Sequence, residues 1–218
     1  MKSSMKYIQK RQPPAQWTEF NDPNAWIDQD GNPMNWTYEH DIGHDLREIL
    51  KRSLVDEQGG ICGYTGLRIS VEESHVEHIK PQNRCVNHED VDYNNLIAAY
   101  PAGGCEFGAR AKDGWYEENE FISPLHPNCE QAFLYYPDGD IAPRDPANNV
   151  AIRTINVLNL KCPAIKKMRE GAIEALFERE LTRQDVETFI LILDQRQEDT
   201  GFIPLCFVIK NILQSYMV

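Results

Sequence analysis

Two short apolar runs set apart by a polar loop constrain this chain more than any other feature. Residues 74–81 read SHVEHIKP and residues 94–101 read NNLIAAYP. Both are of strand length, and each ends at a proline, which cannot donate to a strand ladder. They predict two short strands joined by the polar loop 82–93. Strand side chains alternate faces, so His75 and Glu77 share one face and His78 takes the other. Near a strand end, local twist or a bulge can bring Glu77 and His78 to bear on one group from two sides. Pro81 stops the first strand so that the loop can turn.

The flanking segments say what can surround such a pair. Residues 1 to about 40 are rich in Pro, Asn, Asp and Trp, with DP, DG and NP dipeptides. That composition predicts an irregular arm, held to the body by Trp17, Phe20, Trp26 and Trp36. GHDLREILKRSLVDEQGG places Leu46, Ile49, Leu50 and Leu54 on one helical face and glycines after it, the pattern of an amphipathic helix with a C-terminal stop. ICGYTGLRIS follows as a knuckle-like turn. GGCEFGARAKDGW reads as a short helix opened by glycines. FISPLHPNCEQAFLYYPDGDIAP predicts a strand pair around Asp138-Gly139. The last third is helical, with apolar residues at three- and four-residue steps. Thr182 with an acid three residues on is a near capping box, and FIPLCFVIKNILQSYMV closes as a strongly apolar helix with Pro204 near its start. No repeat or low-complexity tract is present.

The chain has 218 residues, enough for one domain or a small core with an added lobe. Two units are expected: residues 1–142, with a core at about 60–115, and a helical lobe over 143–218. No apolar run approaches the roughly 18–20 residues of a membrane helix. The first residues, MKSSMKYIQKRQPPAQ, contain no apolar signal-peptide region. Six cysteines without regular spacing suit a reducing compartment, so the expected location is the cytoplasm. The net charge is −12. Residues 51–140 carry seven Lys/Arg against sixteen Asp/Glu, whereas residues 141–218 carry ten of each. An acidic middle segment does not grip a phosphate backbone by itself, because such affinity comes from Lys and Arg. It suits a divalent cation, a basic partner, or simply solubility.

The residue types in HVEH carry a chemistry. A carboxylate is a hard oxygen ligand for Mg²⁺, Mn²⁺ or Ca²⁺. A neighbouring imidazole titrates near neutrality and can take a proton from water. An HxEH run alone is more often a surface strand than a site. Here it is followed by Asn95 and Leu96 in the second strand, and then by a cysteine-containing turn and a helix with Arg110 and Lys112.

That order, His, loop, Asn-Leu, helix, resembles the ββα-metal fold of the HNH endonucleases, over roughly residues 45–142. The pieces CGYTG, SHVEHIKPQ, DYNNLIAAY, GCEFGARAKDGW and FISPLHPNCE are most similar to the HNH proteins of Septu and retron anti-phage systems, the PtuB-like group. The resemblance implies an α+β fold, with a small ββα-metal core surrounded by helices. It implies a metal-dependent nuclease using Mg²⁺ or Mn²⁺. Glu77 would bind the metal, with His75 supporting the strand or the metal shell. His78 would be the general base, Asn95 would brace the loop and orient it, and Arg110 and Lys112 would contact phosphate. An ABC/SMC-like ATPase of the PtuA type is the implied partner, in some systems with a retron reverse transcriptase and its RNA–DNA hybrid.

Two departures stand out. Where the family places a second metal ligand on the helix, this chain has Ala109; His75, Asp113, His126 or Asn128 are the substitutes to test. The paired CxxC knuckles of many relatives are reduced to Cys62 and Cys105, and a structural Zn²⁺ needs about four ligands. Zinc would require Cys129 or a histidine as well; otherwise the two thiols pack as small buried side chains. The other readings of the chain are an inactive HNH-like scaffold assembling a complex through its helical lobe, and a zinc-ribbon-like module.

Overall fold

The computed structural model describes residues 5–100, 105–178 and 180–217; Gly103 and Gly104, expected to open a helix, lie outside them. The architecture is α+β, with two small two-stranded sheets set among helices. α1 (Ala15–Phe20) and the single turn α2 (Tyr38–Asp41) belong to the N-terminal arm. α3 (His44–Glu57) then leads through a knuckle to β1 (His75–His78). β2 (Leu96–Ala99) pairs antiparallel with β1, in the register His75↔Ala99, Glu77↔Ile97 and His78↔Leu96. α4 (Ala109–Lys112) is a single turn after that hairpin. β3 (Phe133–Tyr135) and β4 (Ile141–Pro143) form the second hairpin, around Asp138-Gly139. Four helices complete the chain: α5 (Asn149–Val157), α6 (Pro163–Glu174), α7 (Arg183–Leu193) and α8 (Cys206–Tyr216). Among the described residues no helix is long and apolar enough to cross a membrane.

β2 is the buried strand, with all four of its residues enclosed. α3 lays Leu50 and Leu54 against it, while Leu46 and Ile49 on the same face are half-buried. The end of α3 also acts as a strand substitute. The Gln58 amide donates to Ala98 O at 2.8 Å and accepts from Ala98 N at 2.6 Å, satisfying backbone groups that β1 does not reach. In the knuckle, Cys62 N donates to Leu67 O and Gly66 N to Cys62 O. Gly66 has φ +72, and a Cβ there would meet the Phe207 ring at 2.4 Å, so only glycine lets α8 approach this turn.

The arm is fastened at both ends. Lys10 Nζ donates to the buried Glu57 carboxylate at 2.7 Å and to Leu96 O at 3.0 Å, and lies over the Tyr93 ring. Trp26 stacks on Trp36, and Trp36 on His88 at 3.8 Å between centroids. His88 is thus half-buried in the loop between β1 and β2 rather than solvated.

The helical third shares its core with the rest. One cluster of buried side chains runs from Met5 through the hairpin to Leu213. Tyr135 N of β3 donates to Asn211 Oδ1 of α8, and Leu205 N, just before α8, donates to Gly66 O. Phe207, Val208, Ile209, Ile212 and Leu213 of α8 are buried within the chain. The strong apolarity of this closing helix is therefore accounted for by its own core. α8 begins at Cys206, after Pro204 and a left-handed Leu205. The capping box at Thr182 and Asp185 opens α7.

Candidate active site

The site grows from the end of β1. The period of two puts Glu77 and His78 on opposite faces, as the spacing predicts. His78 is buried, 6 % exposed, and stands perpendicular to the Tyr38 ring, with centroids 4.6 Å apart. Its Nε2 lies 2.8 Å from Asp90 O. A carbonyl only accepts, so Nε2 carries the proton and Nδ1 is left with its lone pair. Gln82 Nε2 stands 3.5 Å from that nitrogen on an exposed residue, a weak contact that water can replace. Burial pushes the imidazole down to about 4, against the raising effect of Asp90, so His78 is neutral at pH 7.

Asn95 holds the loop in the shape that presents Asp90 O. Its Oδ1 accepts from Lys80 N at 2.7 Å, and its Nδ2 donates to Lys80 O at 3.0 Å and Glu89 O at 2.9 Å. A Lys80–Glu89 ion pair and a bond from Tyr38 N to Asp90 Oδ2 at 2.7 Å add to the frame. Asn94 bonds locally to Asp92 instead.

Glu77 lies on the other face. Burial pushes its carboxyl up, and the Lys112 ammonium opposes that. Oε1 accepts from Lys112 Nζ at 2.9 Å and from Tyr64 OH at 3.2 Å, and His75 Nε2 stands 3.9 Å from Oε2. Lys112 also donates to His78 O at 3.0 Å and is 1 % exposed. This differs from the expectation of a phosphate-facing lysine. Its aliphatic stem is buried, and its ammonium ends on Glu77 Oε1 and His78 O. Arg110, two residues earlier and on the opposite side of this single turn, is exposed. Ala109 is buried and offers no donor.

The donor set does not fit a protein-ligated divalent ion as it stands. Among the described residues no three His, Cys, Asp or Glu side chains gather as a ligand group. Of the candidates to replace Ala109, His75 comes near Glu77, while Asp113 is exposed and His126 caps a turn at Asn128 N. Cys62 Sγ accepts from Tyr100 N, Cys105 Sγ bonds within its own turn to Phe107, and Cys129 is buried beside Met5 O and Pro124 O. The structure places Lys112, expected at phosphate, on Glu77 and His78 O instead. No local spacing pairs positions 77 and 112, so no sequence signal marked the contact.

No family model matches the chain. It is 30% identical over 148 residues, covering 63% of its own length and 69% of the relative's, to the protein named "Retron Vc95 putative HNH endonuclease" of Vibrio cholerae serotype O1 biovar El Tor. With that likeness added to the His-bearing hairpin and its asparagine-braced loop, the chain belongs to the HNH endonuclease family.

Proposed function

We propose that this chain is the nuclease effector of a bacterial anti-phage defence system of the Septu or retron type, hydrolysing phosphodiester bonds in DNA or RNA. The observation that carries the reading is His78: a buried, neutral imidazole with Nε2 fixed on Asp90 O and the Nδ1 lone pair turned to a replaceable neighbour, Gln82. The relative's name places that protein in a retron, which supports the defence context. After water replaces the Gln82 amide, His78 Nδ1 takes a proton from that water as it attacks phosphorus; the P–O bond to the leaving sugar oxygen breaks, and that oxygen takes up a proton from solvent. Asn95 is a positioning residue: it shapes the loop that fixes the imidazole. Arg110 is the exposed cation on α4 available to phosphate. Mg²⁺ or Mn²⁺ remains the implied cofactor, with Glu77 and His75 as its protein donors. In this arrangement that set does not fit the ion.

The acidic middle segment favours activity inside a complex. An ABC/SMC-like ATPase of the PtuA type is the proposed partner, in some systems with a retron reverse transcriptase and its RNA–DNA hybrid. Nothing at the site selects for a 2′-hydroxyl, so tRNA and invading DNA are both candidate substrates.

The test is cleavage of DNA and of RNA by the full complex with Mg²⁺ or Mn²⁺, together with phage protection, comparing wild type with His78→Ala. Loss of a general base lowers the rate by about 10²–10⁴-fold, and protection is expected to fall with it. Unchanged cleavage in the variant would refute the role of His78. A second reading, an inactive HNH-like scaffold, is favoured by Lys112 on Glu77 and by Ala109. It predicts protection that survives His78→Ala.

A further inference from the structure

Lysine is rarely buried without a partner, because its ammonium loses hydration that an anion must replace. Lys112 is among the most enclosed side chains of this protein, and its ammonium ends on two oxygens of β1, Glu77 Oε1 and His78 O. Its backbone is pinned as well. Lys112 N donates to Gly108 O, Trp115 N donates to Lys112 O, and Gly108 N is tied to Leu158 O. Gly108 and Asp113, on either side of α4, both have positive φ. This is a lysine aimed inward by the turn that carries it, not a surface side chain folded over.

The two oxygens it takes belong to the carboxylate assigned above to a divalent ion and to the backbone of the base. A second cation on Glu77 would face the ammonium across a few ångströms of buried space, where repulsion is little screened. A hard divalent ion also needs several oxygen ligands. Glu77 has one oxygen engaged by Lys112 and Tyr64, and His75 is the further donor beside the other.

Building on the reading of Glu77 as the metal carboxylate, we propose that Lys112 is a built-in cation occupying the divalent-ion position, so that the chain in this conformation excludes Mg²⁺ and Mn²⁺ from Glu77 until Lys112 is displaced. The nuclease is then closed by its own lysine. Its metal requirement becomes conditional on a movement of α4.

Mn²⁺ binding to the full chain, read from loss of the free-ion EPR signal, tests this directly. Wild type, Glu77→Gln, Lys112→Met and the double variant are compared, each checked for folding by circular dichroism. Lys112→Met keeps the apolar bulk of the stem and removes the ammonium. Wild type and Glu77→Gln are expected to bind alike, any uptake coming from the acidic surface. Lys112→Met is expected to bind at least tenfold more tightly, and the double variant to lose that gain. Wild-type binding that Glu77→Gln abolishes would overturn the proposal, as would a folded Lys112→Met with no gain. If Lys112→Met does not fold, the comparison of wild type with Glu77→Gln still decides between the two outcomes. The His78→Ala cleavage test is separate. A failed binding pattern with cleavage still lost in His78→Ala removes only the role of Lys112. The expected pattern with unchanged cleavage removes the nuclease and leaves the lysine in place.

Discussion

His78 pays for its neutrality through pH. Its imidazole is held at about 4 by burial, against about 6.5 in an unfolded chain. The neutral form therefore stabilises the fold fully above pH 6.5, and that contribution is lost as pH falls through 4. Between pH 7.5 and 4.5 the loss amounts to roughly 2–3 kcal/mol. Urea unfolding at the two pH values measures it, and His78→Ala is expected to show an acid-side loss smaller by about that amount. Equal losses in both proteins would mean that His78 is not held neutral by its burial. The local geometry of His78 and Glu77 was legible in the sequence, because a period of two is a property of any strand. The partners of these side chains were not. Asp90 O reaches His78 through a folded loop, and Lys112 reaches Glu77 from another element.

The hairpin β1–β2 was legible as an element for a similar reason: two apolar runs of strand length bounded by prolines leave few alternatives. What holds the loop between them is one side chain. Asn95 satisfies Lys80 N, Lys80 O and Glu89 O together. Asn95→Ala leaves those groups unpaired and is expected to cost about 2 kcal/mol. Activity should fall further than that stability loss explains, since Asp90 O would drift from His78. Urea unfolding and cleavage measured on the same samples separate the two effects. A variant with normal stability and activity would show the brace to be dispensable. The one-turn α4 was less legible, because its opening depends on Gly108 at φ 69 and on Leu158 far along the chain.

On the scale of the whole molecule, the helical third is welded to the hairpins at a few close approaches. Gly139, in the β3–β4 turn with φ +77, would place a Cβ 2.2 Å from Lys166 O of α6. Arg169 of α6 donates to Gly139 O at 2.7 Å, so the turn and α6 are fitted to each other. Gly139→Ala combines a backbone clash with an unfavourable φ and is expected to cost at least about 2 kcal/mol, read as a lowered midpoint in denaturant. A midpoint unchanged from wild type would show that α6 can shift without loss. The same welding bears on partners: the apolar face of α8 is buried within the chain, which leaves Tyr216 and Met217 as its exposed apolar end.

The sequence by itself determined the local elements: an amphipathic α3, two strands with His75 and Glu77 on one face and His78 on the other, a turn at Asp138-Gly139, and a helical last third. These follow from periodicity and turn chemistry, which act over a few residues. Tertiary structure alone decided that Lys112 turns inward onto Glu77, that His78 is buried against Asp90 O and Tyr38, and that α8 fills the core beside the knuckle. Each joins residues distant in the chain, and which distant groups meet is settled by where buried charge and buried surface find partners, a balance struck over the whole folded chain rather than within any one segment.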